Sequence, residues 1–549
     1  MGYIEGQNRQ QIMLLPDCIE DLIREDNPVH VIDAFVDGLD MNRLKFTQAT
    51  PAETGRPAYN PRDLLKLYIY GYFNKIRSSR KLMKECHRNI ELFYLLNRLE
   101  PDFRTISDFR KCNSKALKGV FREFVGICLN LDLYQKDLFA IDGSKFRAVN
   151  SKSNSYNKEI LLKKLARIEE NIQNYLKEMD QNDQSESNEK EFNQTQIQAK
   201  IKELRERKET YQQYQNQLKE TGETQLLTTD PEARVMHSKD GFHCYYNVQT
   251  SIDKGSHLIA EYDVTNNCTD QGLLKSVAEQ TRETLGMETI VVVADKGYDS
   301  RQDIESCVLN GVIPNVSLKY DKEERVHAIP YVEAQITEEE RCSTKPEDIK
   351  KCISAGVLPE CYKNTGIEVE TKTKMQGKYS CFILKNINTV ICPMGKELHK
   401  TKCKAGNNIY VSKEACRECS NKCTHSNFKT VSFGPNTTVV PVQMFGGSDA
   451  PLQQIPLGAV ISPNNHSMDR KKAITKNVQI RIKSNPAIMK ERMCLSEHPF
   501  GTVKWHHGAH YLLCRGKEKA TGELGLSFLV YNMKRAINMV GIKELIAAM

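Results

Sequence analysis

Residues 289–300, TIVVVADKGYDS, form the stretch that best predicts the fold of this chain. The five residues 289–293 are β-branched, which favours a fully buried strand. The strand leads into Asp295 and a Lys-Gly turn that would expose the carboxylate. A charged group at the mouth of an apolar strand usually belongs to a site, because the strand fixes its position. The alternative is an aspartate that only caps the following helix.

A second stretch of the same design lies at residues 137–146, DLFAIDGSKF. Its apolar run ends in Asp142, which Gly143 follows. Two strands that each present an aspartate predict carboxylates converging on a hard divalent cation such as Mg²⁺.

Length and composition indicate a soluble, globular protein with more than one compact unit. The chain has 549 residues, of which 39% are hydrophobic and 27% charged. We find no apolar run of about 18 residues and no signal peptide, so no membrane partner is expected. Eighteen cysteines without export signals fit reduced thiols and a cytoplasmic location.

The net charge of +8 is concentrated in two regions. Residues 61–123 hold 15 Lys and Arg against 7 Asp and Glu, and residues 470–492 hold 8 basic residues against Glu491 alone. Local basic regions in a balanced chain indicate a polyanionic partner. The alternative is ordinary solvated helix faces.

Residues 1–130 are predicted to form a helical N-terminal domain that binds DNA. Asn60 and Pro61 are a good helix start, and another helix is predicted to open at Thr105. The succession of short helices is compatible with a helix-turn-helix-like module. A basic helix could lie along phosphates, and its candidate DNA-binding residues are Arg77, Arg80, Lys81 and Lys84.

A helical-hairpin insertion is predicted at residues 155–222. Apolar residues recur there at alternating spacings of three and four, as in a coiled coil. A polar break divides the stripe, which favours an antiparallel hairpin. Two separate helices that bring protomers together are the alternative.

The remaining order of elements predicts an α/β fold with an RNase H-like mixed-sheet core at residues 131–320 and 470–549. The strand that carries Asp142 is followed by a strand hairpin, a helix, the Asp295 strand, another helix and a last strand. Near the C-terminus, Asn485 and Pro486 predict a helix start. Glu497 and Lys504 lie seven residues apart on or beside that helix and could face one side, although Pro499 would kink it.

Residues 321–469 are predicted to be an insertion with a cysteine cluster. Cysteine spacing there suggests a structural zinc site, with four ligands and no open position. The preferred ligands are Cys392, Cys416, Cys419 and Cys423, and either Cys403 or His425 could replace one of them. Ordinary reduced cysteines are the alternative.

Several motifs, in order, resemble those of the DDE transposases of bacterial insertion sequences, most closely the group numbered eleven-eighty-two. They are YNPRDLLKLYIYGYF, PDFRTISDFRKCN, IDGSKFRA, TDPEARV with YYNVQTSID, VVADKGYDS, the CPMG and CxxCxxxC cysteines, SEHPFGTVK and YNMKRAIN.

The resemblance implies that Asp142, Asp295 and Glu497 are the three catalytic acids and hold two Mg²⁺ or Mn²⁺ ions. Lys504 would contact a phosphate of the DNA end. The arginine expected four residues before the glutamate is replaced by Met493, so Arg492 is left out of the site.

The implied function is transposition: binding double-stranded DNA at terminal inverted repeats, cleaving the ends and joining the 3′-hydroxyls to target DNA. A homodimer or higher oligomer on nucleoid DNA would be needed to hold two ends. The alternatives are an RNase H-like nuclease without strand transfer and a non-enzymatic DNA-binding regulator. Asp230 and Asp270 are assigned to turns and caps.

Overall fold

The computed structural model describes residues 18–549 except residues 52, 55–56, 184–189, 318–323, 376–382, 387, 393–395, 405–406, 420–426, 434–473 and 484. The α-helices are α1 (Val29–Asp37), α2 (Pro61–Phe73), α3 (Ser79–Cys86), α4 (Ile90–Leu96), α5 (Phe103–Cys112), α6 (Ser114–Asn130), α7 (Lys158–Asp183), α8 (Lys190–Thr221), α9 (Leu274–Leu285), α10 (Arg301–Leu309), α11 (Glu338–Cys342), α12 (Pro346–Ser354), α13 (Lys413–Arg417), α14 (Pro486–Gly501), α15 (Lys517–Val540) and α16 (Ile542–Ala547). The strands are β1 (Phe139–Arg147), β2 (Ser155–Tyr156), β3 (Leu226–Leu227), β4 (Arg234–Ser238), β5 (Gly241–Asp253), β6 (Ile259–Thr265), β7 (Ile290–Ala294), β8 (Val312–Val316), β9 (Glu324–Pro330), β10 (Ile367–Met375), β11 (Ile383–Asn386), β12 (Thr389–Ile391), β13 (Glu397–Lys404), β14 (Asn407–Val411), β15 (Thr430–Phe433) and β16 (Ile474–Lys483).

The N-terminal part consists of α1 to α6. The predicted start of α2 is confirmed, because the Asn60 side chain accepts a hydrogen bond from the backbone N–H of Arg62 at 3.0 Å. The predicted N-cap of α5, Thr105, is wrong by three residues. Asp102 caps that helix by accepting from the N–H of Arg104 at 2.7 Å, so the helix begins before Thr105.

A six-stranded mixed sheet lies at the centre of the fold. Its strand order is β4-β5-β1-β7-β8, and β6 also pairs with β5. β1 runs antiparallel to β5 and parallel to β7, which runs parallel to β8. The predicted mixed sheet is therefore present. One detail differs: β1 continues five residues beyond Asp142, because residues 142–147 pair with β5.

Helices cover the sheet and hold the C-terminal part of the chain against it. On one face, Leu495 of α14 packs with Leu138, Ala140 and Val293. The buried helix α15 packs beside α6, and Asn532 bonds the backbone of Ile259 on β6 through both its amide nitrogen (2.7 Å) and its oxygen (2.9 Å). Nowhere in the described ranges is a helix both long and apolar enough to cross a membrane.

The insertion after β1 contains two helices that pack on each other. Lys208 of α8 pairs with Glu169 of α7. Much of the predicted apolar stripe is buried, at Leu161, Ile168, Ile172, Ile197, Ile201 and Leu218. The two helices therefore pack on each other within one chain.

Two smaller sheets lie beyond β8. One has the order β10-β16-β9, and the other runs in sequence order from β11 to β15. β16 falls within the range that the sequence assigned to the core, yet it pairs with two strands of the predicted insertion. Two basic residues of β16 have acidic partners there: Arg481 lies 3.5 Å from Glu370, and Lys483 pairs with Glu368.

Candidate active site

The pairing of β1 with β7 brings the two predicted aspartates together. Phe139 is level with Val292, and Ala140 with Val293. Because the two strands are parallel, two further residues along each bring Asp142 level with Asp295. Asp295 also caps the single turn Lys296–Tyr298, where its carboxylate accepts from the N–H of Gly297 at 2.7 Å. Asp295 can therefore cap this turn and belong to a functional site at the same time.

The Asp142 carboxyl group is largely enclosed. Burial, and to a smaller degree the charge of Asp295, raise its pKa to about 6. Three neighbours act in the opposite direction: the Ser496 hydroxyl, the Arg492 guanidinium and the N–H of Gly143 at 2.8 Å. A carboxyl group held in this way is suited to receive further positive charge.

Helix α14 presents Arg492 and Ser496 to Asp142, four residues apart on one helical face. The nearest guanidinium nitrogen of Arg492 lies 3.7 Å from a carboxylate oxygen of Asp142. The Ser496 hydroxyl is fully buried and lies close enough to Asp142 to lower its pKa. Among the described residues, however, it forms no hydrogen bond of good geometry. Glu497 is next along the helix and is exposed.

The predicted set of three acids is therefore only partly assembled. Asp142 and Asp295 adjoin, whereas the Glu497 side chain faces solvent. Within the described residues, no group of three or more His, Cys, Asp or Glu side chains is arranged to hold a metal ion.

Lys504 approaches the same face of β1. α14 continues through Pro499 and then widens into a π-helical turn, Thr502–His506, a feature frequent at functional sites. The Lys504 ammonium donates to the Ser144 hydroxyl and to the Lys145 carbonyl, both at 2.7 Å. Ser144 lies two residues after Asp142 and so shares its face. Burial lowers the pKa of Lys504 to about 8.

The four candidate DNA-binding residues near α3 separate into two groups. Arg80, Lys81 and Lys84 are exposed on α3. Arg77 is buried, and its guanidinium lies 2.6 Å from Glu523 of α15. The prediction that Arg77 contacts DNA does not fit this position, because an internal carboxylate already neutralises its charge.

The predicted zinc ligands are described only in part. Cys392, Cys416 and Cys419 are partly exposed thiols, whereas Cys423 and the alternative His425 lie outside the described residues. Backbone N–H groups point at two of the sulfur atoms: Lys396 donates to Cys392 at 3.3 Å, and Lys429 to Cys416 at 3.5 Å.

Three residues that sequence reasoning left out lie at or beside the aspartates. Arg492 and Ser496 face Asp142, and their four-residue spacing on a predicted helix was the signal that could have identified them. Asp270 approaches the backbone next to both aspartates. Asp230, in contrast, is buried and has a structural role, since it accepts from the Tyr246 hydroxyl at 2.7 Å.

The sheet order and the adjoining aspartates are consistent with an RNase H-like domain, a fold used by enzymes that act on nucleic acids. Comparison with protein families agrees with this fold assignment. Residues 17–112 match the family described as a transposase domain (DUF772), and residues 134–364 match the transposase DDE domain. No curated protein and no solved structure matches the chain.

The chain belongs to the DDE transposases of the insertion-sequence type. It is therefore an enzyme whose family implies DNA as partner and dependence on a divalent metal. The two matches do not distinguish insertion-sequence groups, so the resemblance to the group numbered eleven-eighty-two stays a prediction.

Replacing Asp142 with Asn is expected to stabilise the cation-free protein above pH 6. Because burial raises the pKa of Asp142 to about 6, the folded state holds that proton more tightly than the unfolded chain does. Stability is therefore lost as the pH rises from about 4 to about 6, by about 2–3 kcal/mol, and a neutral Asn avoids that loss. Thermal unfolding in chelator should show the gain at about pH 7.5 and not near pH 4. An equal gain at both pH values would contradict this explanation.

Proposed function

We propose that the protein binds the terminal inverted repeats of an insertion sequence, cleaves DNA at the element ends and joins the 3′-hydroxyls to target DNA. The observation that carries this proposal is that Asp142 and Asp295 lie side by side on the neighbouring strands β1 and β7. Lys504 supports it by bringing a cation to the same face of β1. Two ends must be held together for joining, so we propose at least a dimer on DNA.

Asp142 and Asp295 would hold divalent cations, with Glu497 of α14 completing the set. Mg²⁺ or Mn²⁺, when bound, supplies charge stabilisation and an activated hydroxyl for phosphoryl transfer. The raised pKa of Asp142 fits this role, because positive charge nearby favours its ionised form. When no cation is bound, Arg492 would help to neutralise Asp142, because its guanidinium lies 3.7 Å from the Asp142 carboxylate.

The exposed basic face of α3 is the proposed contact with the DNA backbone. Arg80, Lys81 and Lys84 all reach solvent and could neutralise phosphates. Such contacts position DNA without reading its sequence. Lys504 would act closer to the chemistry, where its ammonium could leave Ser144 for a phosphate of the DNA end.

A nuclease without strand transfer would use the same carboxylates, so the deciding experiment must detect joining. Labelled fragments of the DNA that flanks the gene are incubated with the protein, Mg²⁺ and a supercoiled target plasmid. We expect binding, cutting and covalent joining of label to plasmid. Cutting without joining would favour the nuclease, and binding without cutting would favour a regulator. A fragment with a scrambled repeat is the matched control.

We also propose a structural zinc ion held by Cys392, Cys416, Cys419 and Cys423. Two N–H···S contacts, to Cys392 and Cys416, support this, because such donors stabilise metal-bound thiolates. Purified protein is expected to contain about one zinc per chain. A double variant, Cys416→Ser with Cys419→Ser, should lose the zinc and unfold at lower temperature.

Metal content and thermal unfolding measure this prediction directly. Cys268→Ser is the matched control, since that thiol is exposed and lies far from the cysteine insertion in sequence. Zinc-free protein that unfolds at the same temperature as untreated protein would show that these cysteines are ordinary thiols.

A further inference from the structure

A buried polar network lies behind the two aspartates and centres on Asp270, which follows β6. One oxygen of its carboxylate, Oδ1, accepts from the amide nitrogens of Asn247 at 2.7 Å and Gln249 at 2.9 Å. Both carboxamides belong to β5 and are buried, at 1% and 0% exposure. The buried Tyr298 hydroxyl in turn donates to the Gln249 oxygen. These contacts fix the orientation of the Asp270 carboxylate.

That carboxylate lies between Gly143 and Gly297, two glycines that closely follow the aspartates in sequence. Gly143 directly follows Asp142, and a Cβ there would lie 2.6 Å from Asp270 Oδ1. Gly297 lies two residues after Asp295, and a Cβ there would lie 3.5 Å from Asp270 Oδ2. At Gly143 a side chain would therefore displace both the Gln249 amide, which is the nearest group, and the Asp270 carboxylate.

The strand register shows on which face of the sheet Asp270 lies. Gly143 is directly opposite Gln249 in the β1–β5 pairing, so Asp270 and the carboxamides lie on the Gly143 face of the sheet. The Asp142 side chain points to the other face, towards α14. Asp270 thus lies behind the β1 backbone from Asp142, and it meets the turn after β7 at Gly297.

We propose that Asp270 is a positioning residue of the active site. By holding Asn247 and Gln249 against the backbone at Gly143, and by lying against Gly297 itself, it sets the separation of the Asp142 and Asp295 carboxylates. The inference rests on the proposed function, since that separation matters only if the pair binds divalent cations. Hydrogen bonds that support ligating groups typically change metal affinity 10–100-fold when removed.

The test compares Asp270→Ala with Asp270→Asn. Alanine removes the acceptor, so that the Asn247 amide loses its partner and the Gln249 amide keeps only Asn247 Oδ1 at 3.2 Å, whereas asparagine keeps an acceptor oxygen of the same shape. We expect Asp270→Ala to weaken Mn²⁺ binding, measured by calorimetry without DNA, by about 10-fold or more. The Mn²⁺ concentration for half-maximal cleavage should rise by the same factor. Asp270→Asn should stay within about 3-fold of the parent in both measurements.

Asp137→Ala is the matched control, because Asp137 is exposed just before β1, at the end of the strand opposite to the site. Unchanged Mn²⁺ binding in Asp270→Ala would overturn the inference, as would an Asp270→Asn defect equal to that of alanine, which would mean that charge and not position matters. If Asp270→Ala does not fold, Gly143→Ala replaces it, since its methyl group would displace the Gln249 amide and the Asp270 carboxylate together. Normal Mn²⁺ binding by that variant would overturn the inference. A parent protein that binds no Mn²⁺ and cuts no DNA would overturn the proposed function as well.

Discussion

Asp295→Asn is expected to lose at least about 1,000-fold of the rate of divalent-cation-dependent DNA cleavage while it retains binding to the element ends. The neutral amide removes one of two adjoining negative charges, and the lost charge stabilisation of the transition state corresponds to about 4 kcal/mol. In the parent protein the N–H of Gly297 donates to the Asp295 side chain at 2.7 Å. The Asn side chain can still accept this hydrogen bond, so the turn should persist. Single-turnover cleavage and gel-shift binding measure the two properties separately.

The control for this variant is Asp137→Asn, which removes the same charge at the opposite end of β1. We expect it to cut and bind as the parent does. Undiminished cleavage by Asp295→Asn would remove this residue from the mechanism. Loss of binding and cleavage together would instead indicate that the substitution disturbs the fold.

Arg77→Ala is expected to lower the free energy of unfolding by about 3–5 kcal/mol, the usual cost of breaking a buried ion pair by removing one partner. The Glu523 carboxylate would keep the N–H groups of Leu513 and Cys514. The Glu523 side chain is 1% exposed and lies 2.6 Å from the guanidinium. Arg77 also donates to the carbonyl of Tyr511 at 2.5 Å. It therefore joins the N-terminal helices to the segment between the π-helical turn and α15. Urea unfolding of the full chain measures the loss.

Arg80→Ala provides the comparison, because Arg80 is exposed on α3 only three residues away. We expect its stability to stay within about 0.5 kcal/mol of the parent and its affinity for DNA ends to fall. The opposite pattern, with Arg77→Ala stable but weak in DNA binding, would restore Arg77 to the DNA-binding surface that the sequence predicted.

Much of the local structure follows from short sequence signals. Asn60 and Asn485 cap the helices that they were expected to cap, each by accepting an N–H two residues later. The β-branched run before Asp295 forms β7. These elements are predictable because the interactions that define them lie within a few residues of one another.

The candidate site was predictable only in part. Asp142 and Asp295 could be found because each ends an apolar run. The residues of α14 that contact them could not be predicted, because the rotation of a helix against a sheet depends on packing by residues such as Leu495. That packing directs Arg492 and Ser496 towards Asp142 and leaves Glu497 exposed.

By itself, the sequence determined the main helices and strands of the core, their order and the two aspartates that lie side by side on neighbouring strands, because strand and cap preferences are local. Only the tertiary structure decided the partners of charged groups. Arg77 reads as one more cation of a basic helix, and its partner Glu523 is 446 residues away. Asp270 reads as a turn residue until β5 brings two carboxamides to it. Burial and pairing set the role of such groups, and both arise only when distant segments pack together.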